Sequence, residues 1–152
     1  MIEPFSHPAL VHLVNAESFI CFARVWWDGD GLDTATWWKS GSNCRMRLAM
    51  TGETYEPKMP TTLVDAAIDA VDFDRVVDEF LTLGIGRLPH QPKRVALTHH
   101  DTWYGIKYPE NSVCHWVGIA GGIHALPEAF ALLSCVYKYF PALMPSSTVA
   151  PR

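Results

Sequence analysis

The sequence predicts an α+β domain: an antiparallel sheet, made of an N-terminal meander and a second hairpin, packed against two central helices and an apolar C-terminal helix. Three observations carry this expectation. Short runs rich in aromatic and β-branched residues, separated by turn chemistry, fill residues 19–50. Two sets of apolar residues at helical spacing lie between Leu63 and Leu81. From Arg94 to Ile123, two further strand-like runs flank Pro109-Glu110-Asn111, a hairpin turn signal.

A chain of 152 residues with 49% hydrophobic content is the length of one domain and can fill a core. One globular unit is expected over 1–143, with 144–152 as a frayed, proline-bearing tail. The formal charge of −4, from 12 Lys and Arg against 16 Asp and Glu, disfavours a nucleic-acid ligand, because phosphate binding needs a concentrated positive field. Arg45 with Arg47, and Lys93 with Arg94, read as solvated strand ends. The first ten residues have no basic group ahead of their apolar positions, and no apolar run approaches the roughly 20 residues of a membrane span. A cytoplasmic protein that engages no membrane is therefore expected. Cys21, Cys44, Cys114 and Cys135 are widely spaced with no C-x-x-C, so no zinc knuckle or redox pair is signalled; Cys21 and Cys135 read as buried thiols.

In chain order, Ser6-His7-Pro8 and the spacing of Leu10, Leu13 and Val14 predict a short helix or turn covering the core. Phe19 to Trp27 has strand formers on both alternating faces, as in a central strand. Asp28-Gly29-Asp30-Gly31 ends it with a turn. Asp28, Asp30 and Asp33 crowd carboxylates together, yet Leu32, Asp33 and Lys39 occupy positions where an EF-hand needs an oxygen ligand, Gly and Glu, so a plain turn is the better reading. Thr34 to Lys39 returns as a second strand, and Cys44 to Met50 follows as a third after Ser40-Gly41-Ser42-Asn43. Trp37 and Trp38 point to opposite faces, so either a covering layer buries both or one serves as an exposed anchor. Next, Leu63 to Val71 reads as one helix; the phase breaks at Asp72, which is expected to cap a second helix running to Gly84. Pro127 to Phe140 is an apolar helix with Pro in its first turn.

Chemical motifs are sparse. The chain has no G-x-S-x-G, Walker loop, H-E-x-x-H or dinucleotide fingerprint. His99 and His100 point apart if in a strand, and a turn near Glu110 pairs His115 with the neighbourhood of Ile106, roughly 20 Å from His100. Cys114 and His115 likewise diverge. Neither a metal nor another cofactor is predicted. The Gly118–Gly122 stretch lacks the lysine of a phosphate loop.

What stands out is acidity on the predicted helices: Asp65, Asp69, Asp72, Asp74, Asp78 and Glu79 against Arg75. Pairs at 65 and 69, and at 74 and 78, are four apart, where like charges repel on one helix face. In size, acidity and architecture the chain resembles small bacterial immunity proteins, which implies a domain that occludes a toxin. The leading expectation is a non-enzymatic domain that binds a basic protein through Asp65, Asp69, Asp74, Asp78 and Glu79, helped by Asp28, Asp30 and Asp33 and anchored by Trp37. A second reading is a small hydrolase or metal-dependent enzyme whose His and Cys residues converge only in three dimensions. A third is a homo-oligomer subunit whose aromatic surface is a self-interface.

Overall fold

A computed structural model describes residues 4–25, 31–52, 59–85, 102–107, 114–119 and 127–144. The Asp28–Asp30 turn, Trp26, Trp27, His99, His100, the turn at 109–111 and the tail beyond 144 lie outside these residues. The fold is α+β, with a six-stranded antiparallel sheet and two α-helices among the described residues. Strands β1 (Ser18–Val25), β2 (Leu32–Ser40), β3 (Asn43–Met50) and β4 (Thr61–Ile68) form a meander, and β5 (Thr102–Lys107) pairs with β6 (Cys114–Ile119). The spatial order is β4-β3-β2-β1-β5-β6. Helix α1 spans Ala70–Thr82 and α2 spans Pro127–Tyr139.

β1 is central, as its two-faced apolar pattern predicts, and both of its sides are buried. Ile20 and Phe22 join the helix-side core with Trp37, Leu48, Tyr104, Phe73, Val76, Phe80, Leu132 and Val136. On the opposite face, Phe19, Cys21 and Ala23 meet Leu32, Trp38, Trp103, Leu10 and Leu13. This second layer is the N-terminal segment, two 3₁₀ turns at Pro4–Ser6 and Val11–Leu13. Three polar contacts fasten it: Lys107 Nζ donates to the Ala16 carbonyl at 2.7 Å, Glu17 N–H to the Lys39 carbonyl at 2.9 Å, and Glu17 Oε1 accepts from Gly41 N–H at 2.9 Å. Gly41, at φ +61°, supplies the left-handed residue of the tight β2–β3 turn.

Residues 61–68 depart from expectation: they form β4, not a helix. Their spacing fits both periods, but Thr61, Thr62, Val64 and Ile68 are β-branched, and alternation places Val64 and Ile68 against the core with Asp65 on the other face. Among the described residues there is thus one central helix, and it begins three residues earlier than predicted, with Asp69 rather than Asp72 at its N-cap. Its end agrees with the sequence: Gly84 at φ +102° follows the last turn and donates to the Leu81 carbonyl. In the second hairpin Ile106 pairs with His115, the register that a turn near Glu110 requires.

Candidate functional site

The acidic residues singled out by sequence separate into two kinds. The first kind is neutralised internally. Asp33 is 0% exposed and lies opposite Arg24 on β1; its Oδ2 accepts from Arg24 Nη2 at 3.0 Å and its Oδ1 from Gly52 N–H at 2.9 Å. The same guanidinium donates to the Leu143 carbonyl at 2.8 Å and to Tyr137 Oη at 3.2 Å, tying the C-terminal layer to the sheet. Asp33 is therefore a structural ion-pair partner, not a surface ligand. Trp37 is also 0% exposed, packed among Phe80, Tyr139 and Phe140 with ring centroids 5.3–5.6 Å away, so it offers no anchor to a partner.

Asp65 does not share a helix face with Asp69. It stands on β4 opposite Arg47, where Arg45 donates to Oδ1 at 2.6 Å and Arg47 to Oδ2 at 3.1 Å. The hydrogen bond from Arg45 leads the effects that hold its carboxyl below the ordinary carboxylate range. Glu79 is bound by Lys138 and accepts from Tyr139 Oη at 3.2 Å. Burial alone would raise its pKa; the hydrogen bond and charge of Lys138 outweigh burial and lower it.

The second kind projects from α1. Phe73, Val76 and Phe80, at i, i+3 and i+7, face the core; Val71, Asp74 and Asp78 repeat that spacing on the outward side. Val71 is 69% exposed, with the exposed Asp74 one turn on and the exposed Asp78 a turn beyond that. Asp69, at the N-cap, makes no side-chain capping bond. Asp72 pairs with Arg75 at 3.1 Å in a solvated contact. Among the described residues, Asp69, Asp74 and Asp78 form no ion pair with a basic side chain.

A second cluster, which no local sequence pattern marks, lies across the sheet. Arg45 and Arg47 are interior to β3, not at its end as their sequence setting suggested. Arg47 Nη1 donates to His12 Nδ1 at 3.0 Å, its guanidinium carbon sits 5.1 Å from the Trp38 ring centroid, and His12 lies on the same ring at 4.2 Å. A guanidinium can only donate, so Nδ1 is the acceptor and Nε2–H donates to Thr36 Oγ1 at 3.0 Å. Burial, reinforced by Arg47, lowers the His12 pKa to about 4, so the ring is neutral near pH 7. Both ring nitrogens are thus occupied in holding the N-terminal layer. Only the hairpin register, which sets Thr36 opposite Arg47, could have pointed to this cluster, and His12 carries no local signal.

Among the described residues, no three of His, Cys, Asp and Glu gather closely enough to hold a metal ion. Cys21, Cys44 and Cys135 are buried thiols, and burial pushes Cys135 up to about 12, far from a reactive thiolate. No helix among the described residues is long and apolar enough to cross a membrane. Comparison with protein-family models, curated proteins and solved structures gives no match for this chain.

Proposed function

We propose that the chain is a non-enzymatic protein-binding domain that presents the outward face of α1 to a basic partner protein, in the manner of an inhibitor or immunity protein that occludes its target. One observation carries the reading. Asp74 and Asp78 follow an exposed Val71 in one row along α1, without a basic counter-ion among the described residues, whereas Asp33, Asp65 and Glu79 are each matched internally. Unmatched like charges four apart on a helix cost a few tenths of a kcal/mol, a cost that a basic partner would turn into attraction. Val71 supplies an apolar contact at the N-terminal end of that acidic row.

The test is to recover the tagged full chain from its host at low and moderate salt, alongside the double variant Asp74→Lys/Asp78→Lys, and to identify companions by mass spectrometry. A stoichiometric basic partner that is released by salt and missing from the variant is the expected result. A companion kept equally by both chains would overturn the assignment to α1.

A further inference from the structure

We infer that strand β4 is a self-association edge, on which a second copy of this chain adds its own β4 antiparallel about a two-fold axis through Ala66. β4 ends the sheet order, and among the described residues its one strand neighbour is β3. Eight residues long, it contains no Lys or Pro, the residues that usually guard an open edge. Its single charge, Asp65, is neutralised by Arg45 and Arg47. Val64 and Ile68 are only half-buried at the margin of the helix-side core, leaving apolar surface that α1 does not cover. Exposed large apolar residues also gather along this segment: Met59 at 65% just before β4, Leu63 at 53% within it and Val71 just beyond it.

The sequence of the strand selects the register. A two-fold normal to the sheet pairs residues of the same face, so the axis must pass through a residue. An axis at Asp65 would set two carboxylates opposite each other. An axis at Val64 would carry the pairing into the irregularity that falls between Thr62 and Val64 on this strand. An axis at Ala66 sets Val64 against Ile68 of the second copy and Ala66 against its counterpart, so the half-buried apolar row continues across the junction. On the other face it sets Ala67 opposite Asp65 of the second copy. Arg45 lies opposite Ala67 on β3, so its backbone is two strand spacings, about 9.6 Å, from that of Asp65 in the second copy. Each copy has two guanidiniums on one carboxylate, and this register gives Arg45 a second acid to reach.

The experiment is sedimentation or light scattering of the full chain from about 1 to 100 µM, with Ala66→Lys and Ala66→Cys, the latter oxidised by glutathione. The wild type should approach twice the 17.0 kDa chain mass as concentration rises. Ala66→Lys, which brings two ammonium groups together at the axis, should remain monomeric. Ala66→Cys is nearly isosteric and preserves the fold; it should form a disulfide-linked dimer, whereas Ala67→Cys, opposite Asp65, should not. A wild-type chain monomeric at 100 µM overturns the inference. So does a dimer in which Ala66→Cys fails to crosslink or Ala67→Cys crosslinks as well.

Discussion

Replacing Arg24 by methionine should destabilise the fold by about 3–5 kcal/mol, the loss expected when one partner is removed from a buried ion pair. Asp33 is fully buried beneath that guanidinium, and the Leu143 carbonyl loses a donor 2.8 Å away. Against a total stability of roughly 5–15 kcal/mol, that loss is a large fraction of the whole. With a urea slope of about 2 kcal/mol/M, the midpoint should fall by about 1.5–2.5 M. Asp33→Leu should cost a similar amount, since it strands Arg24 and the Gly52 N–H. The double variant Arg24→Met/Asp33→Leu removes both charges and leaves two unsatisfied backbone groups, at about 1–3 kcal/mol each. At mid-range that is about 4 kcal/mol against about 8 for the summed single losses, so the double variant should fall short of the sum by about 4 kcal/mol. Urea unfolding of the four proteins, followed by circular dichroism, measures that coupling. Additivity within about 0.5 kcal/mol would refute the argument that the two side chains act as one buried unit.

Two further expectations concern other layers of the fold. Because the folded His12 pKa is about 4 and the unfolded value is near 6.5, the unfolded chain takes up its proton first as pH falls; stability from this group is whole above pH 6.5, declines towards pH 4 and is fully lost below it. The unscreened difference would be about 3 kcal/mol, and partial solvent exposure reduces the expected loss to about 1–2 kcal/mol. Asp65, whose carboxyl the Arg45 hydrogen bond holds below the ordinary carboxylate range, loses its contribution only as pH falls through that depressed pKa. Urea midpoints at pH 7, 5.5 and 4.5 should thus fall more steeply for wild type than for His12→Asn, and parallel declines would sink the assignment. On the helix side, Phe80→Ala should cost about 3–5 kcal/mol by emptying the space against Trp37, while Val71→Ala, on the exposed side of the same helix, should change stability by no more than about 0.5 kcal/mol. Thermal melts would separate the two, and equal losses would mean that the faces of α1 are misassigned.

Much of the sheet was readable in advance because its causes are local. Turn residues at 40–43 and the two-faced apolar pattern of β1 dictate strand boundaries and burial, and the position of a turn fixes a hairpin register such as Ile106 with His115. Residues 61–68 were not readable in this way. Leu63, Val64, Ala67 and Ile68 satisfy a helical period, while Val64, Ala66 and Ile68 satisfy a strand period, and pairing with β3 decides between them. That one substitution of strand for helix reorganised the charges. Asp65 gained Arg45 and Arg47 from across the sheet and lost Asp69 as a same-face neighbour. The Arg24–Asp33 pair was implicit in the first hairpin, since a turn between β1 and β2 brings the two residues opposite each other. His12 was not, because its partners are set by a layer that packs on the finished sheet.

The position of β1 has a consequence for vectorial synthesis. In the finished sheet β1 lies between β2 and β5, but β5 begins only at Thr102. At roughly 5–20 residues per second, about 4–15 s separate the completion of β1 from the arrival of its second neighbour. Once β4 is made at Ile68, the growing chain can complete the β1–β4 meander while the two-faced apolar β1 remains a sheet edge until β5 arrives. Temporary cover of Ile20, Phe22 and Tyr104's future site then rests on the ribosome's surroundings or on a holding chaperone, so a slowed passage through residues 86–101 should raise aggregation of the newborn chain without altering the stability of the finished one.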